Sequence, residues 1–381
     1  KKTGYPGEFA GAVEAAASTG GQIMPPIMGA AAFIMAEMTG FEYSKIIVRA
    51  ILPAFLYFLG IFLGVHFKAK KLGLKGLPRE ELPKWGKLLP KIYLLLPLVL
   101  LVYMIVSGQT MAKSAIYATI AAIAVSLINK DDRMTPTKFV NGLENGGKNC
   151  ISIGIACGIA GIISVCITMT GLGGKLITYV VSLSNGHLII ALFLTMICCI
   201  VLGMGVPTTA NYIIMASTCA PILINGMGMH VLAANMFVFY FGIVADITPP
   251  VALAAYAGSA IAKAPPMKTA FNATRLAIAA FIIPYIFAFN NAMIFVGDDV
   301  TVWSVASITI SATLGMLSIA SGLMGYLIHD LKWISRIALI AGGLLMIIPG
   351  TVSDLAGFAV LAAIFILQTI ENKKEKKAAS V

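Results

Sequence analysis

The sequence predicts an all-α polytopic membrane protein, and three observations lead to this fold class. Of the 381 residues, 59% are hydrophobic and only 11% are charged, whereas soluble domains carry about 25% charged residues. The apolar residues form runs long enough to cross a bilayer as helices. The 27 Lys and Arg residues outnumber the 16 Asp and Glu residues and lie in short gaps between these runs, as in cytoplasmic loops. This pattern excludes a soluble, disordered, collagen-like or disulfide-rich protein and argues against nucleic-acid binding.

Apolar stretches along the chain predict where it crosses the lipid bilayer. Four stretches are interrupted by Gly, Pro or polar residues: 8–38, 187–224, 230–262 and 337–370. Uninterrupted stretches predict simple spans at Ile46–Phe67, Ile92–Val106, Ser114–Ile128, Ile151–Thr170, Leu276–Val296 and Val302–Ile328.

The basic gaps between the stretches predict the orientation of the chain. Lysine and arginine concentrate in 68–91, 130–148, 263–275 and the tail after Glu371, so we expect all four on the cytoplasmic side. The turn at Gly297-Asp298-Asp299 has no basic residue and suits the outside. The last stretch turns at Pro349-Gly350 and forms either two short spans or a re-entrant hairpin. Both alternatives leave the C-terminus in the cytoplasm.

The beginning of the chain and its cysteines add two smaller expectations. Lys1–Val13 contains no long apolar run, so it does not read as a signal peptide. We expect the chain to be the C-terminal part of a longer protein. The six cysteines lie in apolar segments without a CxxC pair, so we expect them to pack rather than to bind metal.

Two interrupted stretches share a motif built around a Pro-Pro pair. Residues 23–36 read IMPPIMGAAAFIMA, and residues 247–260 read ITPPVALAAYAGSA. At an offset of 224 residues, both prolines and the preceding Ile23 and Ile247 coincide. Proline removes a backbone donor and disfavours helix at the residue before it. The motif therefore predicts two helices that break within the membrane, where freed backbone must be buried in protein or line a cavity.

The two broken helices are predicted to cross the membrane in opposite directions. The charge pattern places the first from inside to outside and the second from outside to inside. Similar motifs of opposite direction indicate an inverted repeat, in which substrate and coupling-ion sites lie near the midplane. The alternative is a pair of ordinary Pro-kinked helices with chance similarity.

The segment before the second broken helix predicts a re-entrant hairpin over 187–224. Its middle is rich in glycine and hydroxyl groups, and an apolar helix flanks it on each side. Backbone carbonyls and threonine hydroxyls at such a tip are hard oxygen ligands suited to sodium. The alternative is a small-residue helix-packing face. The tip comprises Gly203-Met204-Gly205-Val206-Pro207-Thr208-Thr209.

At these motifs the sequence resembles the DctM-like large permease of tripartite ATP-independent periplasmic (TRAP) transporters. The matching stretches are Ala15–Pro26, Gly203–Asn211 and Asp246–Pro250. The resemblance covers residues 1–296, and the additional spans within 297–381 resemble those of fused permeases that combine the small and large subunits. It implies an elevator-type, sodium-coupled importer in the inner membrane, with an organic acid delivered by a periplasmic binding protein.

The resemblance also assigns site residues and a domain layout. It implies one sodium site at the turn Ser18, Thr19, Gly20 and Gly21 before Pro25 and Pro26. A second site is implied at the hairpin tip, where Gly203, Gly205, Val206, Pro207, Thr208, Thr209 and Asn211 meet Asp246, Thr248, Pro249 and Pro250. The layout is a broken helix at 8–38, scaffold or arm helices at 46–129, and a second repeat at 149–296. A first hairpin and the small-subunit region are expected before Lys1. Without the upstream hairpin, residues 1–381 are expected not to transport, and the region 1–45 is expected to be unstable.

Asp246 and two arginines are the charges that invite a functional interpretation. A carboxylate at membrane depth is a functional hypothesis by default; Asp246 either ligates sodium, carries a proton or caps the broken helix. Arg49 and Arg275 lie near span ends, where they either snorkel to the interface or bind an anion.

The sequence contains no complete motif of a known enzyme class, so it predicts a transporter without a cofactor. The run Gly171–Lys175 is followed by Leu176, and Met169 replaces the first glycine of a phosphate loop. Neither GxSxG nor HExxH occurs, which leaves an ion gradient as the energy source. The alternatives are a passive channel, an ion-coupled carrier without a binding protein, and a polytopic membrane enzyme.

Overall fold

The computed structural model describes residues 1, 3–76, 80, 85–128, 133–297, 300–347 and 350–378. Within these ranges the regular structure is helical, apart from one isolated β-bridge between Tyr326 and Asp330. Among the described residues, six helices are long and apolar enough to cross a membrane, or seven if one bent pair counts as a single span. The predicted all-α polytopic fold is therefore confirmed.

The first repeat consists of a broken helix followed by one long helix. Helix α1 ends before the Pro-Pro pair, and α2 resumes after Met28, whose backbone is left-handed with φ 49°. Helix α3 continues through Pro53 for 29 residues, which corresponds to about 44 Å. The bounds are α1 Gly7–Gly20, α2 Gly29–Thr39 and α3 Tyr43–Lys71.

The next helices form a hairpin that barely touches the rest of the chain. Its two spans are Leu89–Val106 and Met111–Ile128, and only 6% and 11% of their apolar windows are buried. Such exposure of apolar side chains is what lipid contact requires of a membrane helix. The helices are α4 Trp85–Leu88, α5 Leu96–Val106 and α6 Met111–Ile128, with a 3₁₀ segment at Leu89–Leu95.

Helix α7 (Pro136–Met169) corrects the expectation of a loop over 130–148. It runs for 34 residues, about 51 Å, so it extends well beyond a hydrocarbon core of about 30 Å. The apolar pattern marks only the membrane part of this helix, because the polar turns after Pro136 carry no hydrophobic signal. Gly171 follows α7 in a left-handed conformation with φ 65°. The next helix, α8 (Leu172–Ser184), makes an angle of 69° with the end of α7.

The second repeat contains a helical hairpin, a broken helix and a helix pair. Helices α9 and α10 have 16 and 11 residues, about 24 and 17 Å, so each is shorter than the hydrocarbon core. The bounds are α9 Leu188–Gly203, α10 Thr208–Thr218, α11 Val231–Ala245, α12 Leu253–Ala262, α13 Pro266–Leu276 and α14 Ile278–Phe289.

The backbone repeats at the offset of 224 residues that the Pro-Pro motif indicates. Helices α1 and α2 begin at Gly7 and Gly29, and α11 and α12 begin at Val231 and Leu253. The left-handed Met28 before α2 corresponds to Ala252, which is also left-handed with φ 32°. Both Pro-Pro peptide bonds are cis. The sequence similarity of the two motifs thus reflects a repeated backbone structure.

One large buried core joins the two repeats. It draws side chains from α1–α3, from α9–α14 and from the helix that follows α14. At the crossing of α1 and α12, two glycines bring the backbones together. A Cβ on Gly11 would lie 2.8 Å from the Gly258 carbonyl oxygen, and a Cβ on Gly258 would lie 2.7 Å from that of Gly11. The repeats therefore form one body around the broken helices.

The first of three C-terminal helices packs on α3, and the three helices pack on one another through small residues. Hypothetical Cβ atoms on Gly315, Gly343 and Gly357 would lie within 3.1 Å of backbone oxygen on a neighbouring helix, a close approach typical of membrane helices. Lys71 and Arg336 donate to the last carbonyls of the first of these helices. The helices are α15 Val302–Met324, α16 Trp333–Leu345 and α17 Thr351–Ala378.

The last apolar stretch differs from both alternatives that the sequence offers. Helix α16 has 13 residues, whereas the following helix is long and apolar enough to cross the membrane over Thr351–Asn372. The predicted turn residue Pro349 and the turn residues Asp298 and Asp299 lie outside the described residues. Hydropathy alone does not distinguish a short helix from a full span, because both parts of this stretch are apolar.

Candidate cation and substrate site

The break in the second broken helix has its own local hydrogen bonds. Helix α11 ends at Asp246, whose backbone carbonyl accepts from the N–H of Ala254 at 3.0 Å and so links the two half-helices. Thr274 donates its hydroxyl to the Ile247 carbonyl at 3.1 Å. The Thr248 hydroxyl donates to Val244 at 2.7 Å. The freed carbonyls of this break are thus largely satisfied by the protein.

The predicted hairpin tip connects α9 to α10 by a short turn. Gly205 has φ 76°, a left-handed conformation that favours glycine. Pro207 is the residue before the first turn of α10, which begins at Thr208. The positive end of α10 therefore lies at the tip. Val206 closes the turn through a bond from its N–H to the Gly203 carbonyl.

The hairpin tip meets the second broken helix at Asp246. The Thr208 hydroxyl donates to Oδ2 of Asp246 at 3.4 Å, and both residues are partly buried. The carboxylate thus lies beside the N-terminus of α10, where the helix dipole favours a negative charge. The structure brings these two predicted site residues together from positions 38 residues apart.

Asn211, about one helical turn along α10 from Thr208, is buried. Its amide nitrogen donates to the Gly242 carbonyl at 3.0 Å, while its Oδ1 is buried without a hydrogen-bond partner. A buried unpaired acceptor is unfavourable by about 1–3 kcal/mol unless a donor, water or cation satisfies it. The Asp246 carboxylate, the Thr208 hydroxyl and this amide oxygen provide hard oxygen ligands of the type that small cations prefer.

Gly203 makes room for the asparagine. A Cβ at this position would lie 2.6 Å from the Asn211 amide nitrogen and 3.0 Å from the Cβ of Ala245. The glycine is thus required for close packing of the hairpin against α11. The buried hydroxyl of Tyr212 adds a second link to α11, because it donates to Oδ1 of Asn235 at 2.8 Å.

The first broken helix presents a different set of groups at Ser18–Gly21. The Ser18 hydroxyl donates to Glu14 at 3.1 Å, and Thr19 is buried. A Cβ on Gly20 would lie 2.3 Å from the ring of Tyr57, whose hydroxyl donates to the Ala16 carbonyl at 2.7 Å. Among the described residues, no hydrogen bond connects this turn with the hairpin tip.

Two tyrosines that the sequence motifs do not indicate satisfy the Pro-Pro turns. The Tyr43 hydroxyl lies 2.8 Å from the Pro26 carbonyl oxygen, and the Tyr256 hydroxyl donates to that of Pro250. The acceptors are equivalent in the two repeats, but Tyr43 begins α3 whereas Tyr256 lies in α12. In each Pro-Pro turn, the carbonyl of the second proline therefore accepts a hydrogen bond from a tyrosine hydroxyl.

The described residues contain no group of three or more His, Cys, Asp or Glu side chains able to hold a metal ion. A cation at the hairpin tip would thus be held by one carboxylate together with hydroxyl, amide and backbone oxygens. The remaining tip residue with a hydroxyl, Thr209, is partly buried next to Thr208. This ligand set suits a monovalent hard cation better than a transition metal.

Comparison with protein families assigns these features. Residues 1–299 match the model of the DctM component of tripartite ATP-independent periplasmic transporters. The chain belongs to the DctM family. A comparison with curated proteins gives no match. The match includes both broken helices and the hairpin and ends before α15, so the three C-terminal helices lie beyond the family model.

Membership in the DctM family confirms the coarser functional expectations. The protein is a membrane permease of a TRAP transporter, and the family is one of transporters, not enzymes. DctM permeases work with a periplasmic substrate-binding protein and a small membrane subunit. The several apolar helices agree with a multi-pass protein of the inner membrane.

Proposed function

We propose that this DctM permease couples the inward movement of sodium to the import of a small organic acid. The contact of Thr208 with Asp246 supports the proposal most directly. Asn211 lies about one helical turn along α10 from Thr208, donates to Gly242 of α11 and keeps its Oδ1 without a partner among the described residues. Broken helices in carriers present ions to backbone and side-chain oxygens in this way.

The organic acid is proposed to bind near the same junction. The N-terminus of α10 lies at the tip, and helix N-termini favour carboxylates through their free N–H groups and dipole. A sodium ion next to Asp246 would neutralise this carboxylate and permit the approach of a second anion. In this proposal the ion is required before the substrate, and this order provides the coupling.

We assign the transport movement to the body formed by both repeats. This body shares one buried core, whereas the hairpin of α5 and α6 is almost entirely exposed. A rigid body that moves against a lipid-anchored support is the elevator-type arrangement. The binding protein is proposed to release the acid to the side at which α3 begins, since Lys68, Lys70 and Lys71 at the other end of α3 indicate the cytoplasm.

Replacement of the tip hydroxyls tests the proposal. In proteoliposomes that contain the complete transporter and its binding protein, Thr208→Val together with Thr209→Val should raise the half-activating sodium concentration about tenfold, because hydroxyl ligands are lost while shape is kept. Thr218→Val is the matched control: its hydroxyl donates within α10 to Ile214 and lies away from the tip. Unchanged sodium activation in the double variant would contradict a role of these hydroxyls, and uptake that never exceeds equilibrium would contradict active import.

A further inference from the structure

A cavity of about 390 Å³ lies beside the first turns of α3, away from the hairpin tip. Lys45 and Arg49 line it, together with Ser44 and apolar side chains that include Val106 of α5 and Phe295. The two cations are four residues apart and therefore share one face of the helix. The N-terminus of α3 adds the positive end of a 29-residue helix. The cavity thus combines positive potential with a size suited to a small group.

The guanidinium of Arg49 has no acceptor among the described residues. It makes no hydrogen bond or salt bridge there, and its Nη1 is buried without a partner. Arg336 provides the contrast within the same chain, because its guanidinium donates to the carbonyls of Gly322 and Leu323 at 2.9 and 3.1 Å. A buried nitrogen of a charged group without an acceptor is unfavourable, so Arg49 is prepared for an acceptor that comes from elsewhere.

Of the two cations that line the cavity, Lys45 already has a carboxylate partner, whereas Arg49 has none within the described part of the chain. Glu42, the acidic residue of the cavity wall, pairs with Lys45 at 3.4 Å, and both side chains are more than half exposed. Arg49 packs over the ring of Phe41, with 5.6 Å between the guanidinium carbon and the ring centroid. Stacking on an aromatic ring restricts the orientation of the guanidinium. Arg49 also lines the cavity, so its guanidinium is held in a restricted orientation at the cavity wall.

Phe41 also connects the cavity to the second broken helix. Its ring lies 5.9 Å from that of His230, whose Nδ1 accepts from the N–H of Leu232 and caps the start of α11. An occupant of the cavity is thus separated from the beginning of α11 by two packed rings. This path links the cavity to the helix that ends at Asp246.

We propose that Arg49, together with the first turn of α3, binds an oxyanion in this cavity. The planar guanidinium matches carboxylate and phosphate groups, which accept two parallel hydrogen bonds from it. The anion has two possible sources: the carboxylate of a small acid and the phosphate of a lipid headgroup. The first source rests on the proposed import of an organic acid, whereas the site itself does not depend on sodium coupling.

Equilibrium binding to the purified full-length chain in detergent tests the site. The probes are succinate and inorganic phosphate, titrated in sodium-free choline buffer at constant chloride, with the thermal midpoint Tm as the readout. The Tm of the unaltered protein should rise with either probe, and Arg49→Gln should weaken the apparent affinity at least tenfold. The apparent affinity of Arg49→Lys should lie between those of Arg49→Gln and the unaltered protein, because lysine keeps the charge and loses the planar guanidinium. Arg275→Gln, which removes an exposed guanidinium on α13, should behave as the unaltered protein.

The lipid source is tested by native mass spectrometry of the same variants after reconstitution with phosphatidylglycerol. Loss of a retained lipid in Arg49→Gln, without a difference in the succinate and phosphate titrations, supports the site with lipid as its occupant. Equal probe affinities and equal lipid retention in Arg49→Gln and the unaltered protein would overturn the proposal. If Arg49→Gln does not fold, equality of Arg49→Lys with the unaltered protein in both assays overturns it. Because sodium is absent, failure here is distinguishable from failure of the coupling proposal.

Discussion

The two broken helices have the same backbone and different surroundings. At the offset of 224 residues, Asp246 in the second repeat corresponds to Gln22 in the first, and Thr248 corresponds to Met24. The hairpin of α9 and α10 covers the second break. Met24 and Ile27 beside the first break have exposed fractions of 37% and 49%. Within the described residues, the charge therefore occurs at the break that the hairpin of α9 and α10 contacts.

This difference separates what the turn requires from what the site requires. Both turns keep the Pro-Pro pair, the left-handed residue before the second half-helix and a tyrosine on the carbonyl of the second proline. These features maintain the break. The carboxylate of Asp246 has Gln22 as its counterpart at the first break, so the turn itself does not require a charge there.

The sharpest test of this separation is Asp246→Asn. The substitution keeps the size of the side chain and removes its charge, so sodium activation of uptake should weaken by about 10- to 100-fold, as expected for charge-assisted contacts. Gln22→Asn at the equivalent position is the control and should change the sodium dependence less than twofold. Uptake by the complete transporter in proteoliposomes, measured against sodium concentration, is the readout. Equal effects of the two variants would show that the breaks are functionally alike.

The second test concerns packing at the first break. Gly20→Ala would force a Cβ to within 2.3 Å of the Tyr57 ring and displace the phenol from the Ala16 carbonyl. Overpacking of this kind should lower the stability by about 1–3 kcal/mol, visible as a lower Tm in detergent. Gly86→Ala is the control, because its Cβ meets open space. An unchanged Tm for Gly20→Ala would mean that α1 does not pack against α3 in this way.

The third test removes the phenols from the two turns. Tyr43→Phe and Tyr256→Phe each delete one donor to a proline carbonyl, and each should lower the stability by about 1 kcal/mol. Amide hydrogen exchange should rise at the beginning of α2 in the first variant and of α12 in the second. Tyr103→Phe, at an exposed position of α5, is the control and should change neither the stability nor the hydrogen exchange of α2 and α12. Unequal effects of the two variants would show which turn depends on its tyrosine.

The last test concerns direction and should leave activity almost unchanged. In a background without the six native cysteines, Lys75→Cys beyond the end of α3 should resist an impermeant thiol reagent in intact cells, because its loop is basic. Gln109→Cys between α5 and α6 should react. Labelling of Lys75→Cys in intact cells would place that loop outside, and the two broken helices would then no longer have the predicted directions.

Much of the fold was predictable because lipid imposes simple rules. Apolar length identified α3, α5, α6 and α15, and the Pro-Pro pair located both breaks. The contact between Thr208 and Asp246 agrees with the family resemblance, which implies a site where the hairpin tip meets Asp246. The expectation of two sodium sites, the order of the domains and the directions of the helices stay predictions.

Other features left no signal in the hydropathy pattern. Helix α7 begins in polar residues that helix propensity alone does not distinguish from a loop. The roles of Tyr43 and Tyr256 depend on tertiary distance, and the two side chains do not correspond under the repeat offset. The equivalence of α3 with α13 and α14 is also hidden, because Pro53 continues its helix whereas the matching Ala277 lies at a break. These details follow from packing, which sequence spacing does not encode.

The glycine crossing of α1 and α12 has a mechanical consequence. Because the backbones at Gly11 and Gly258 touch, a slide by one turn would bring a side chain against a carbonyl, and Ala15 and Ala262 already flank the crossing. The close contact of the two glycines therefore fixes the register of the two repeats at this crossing. A movement that keeps this contact carries both half-helices as one piece and bends the chain only outside the crossing.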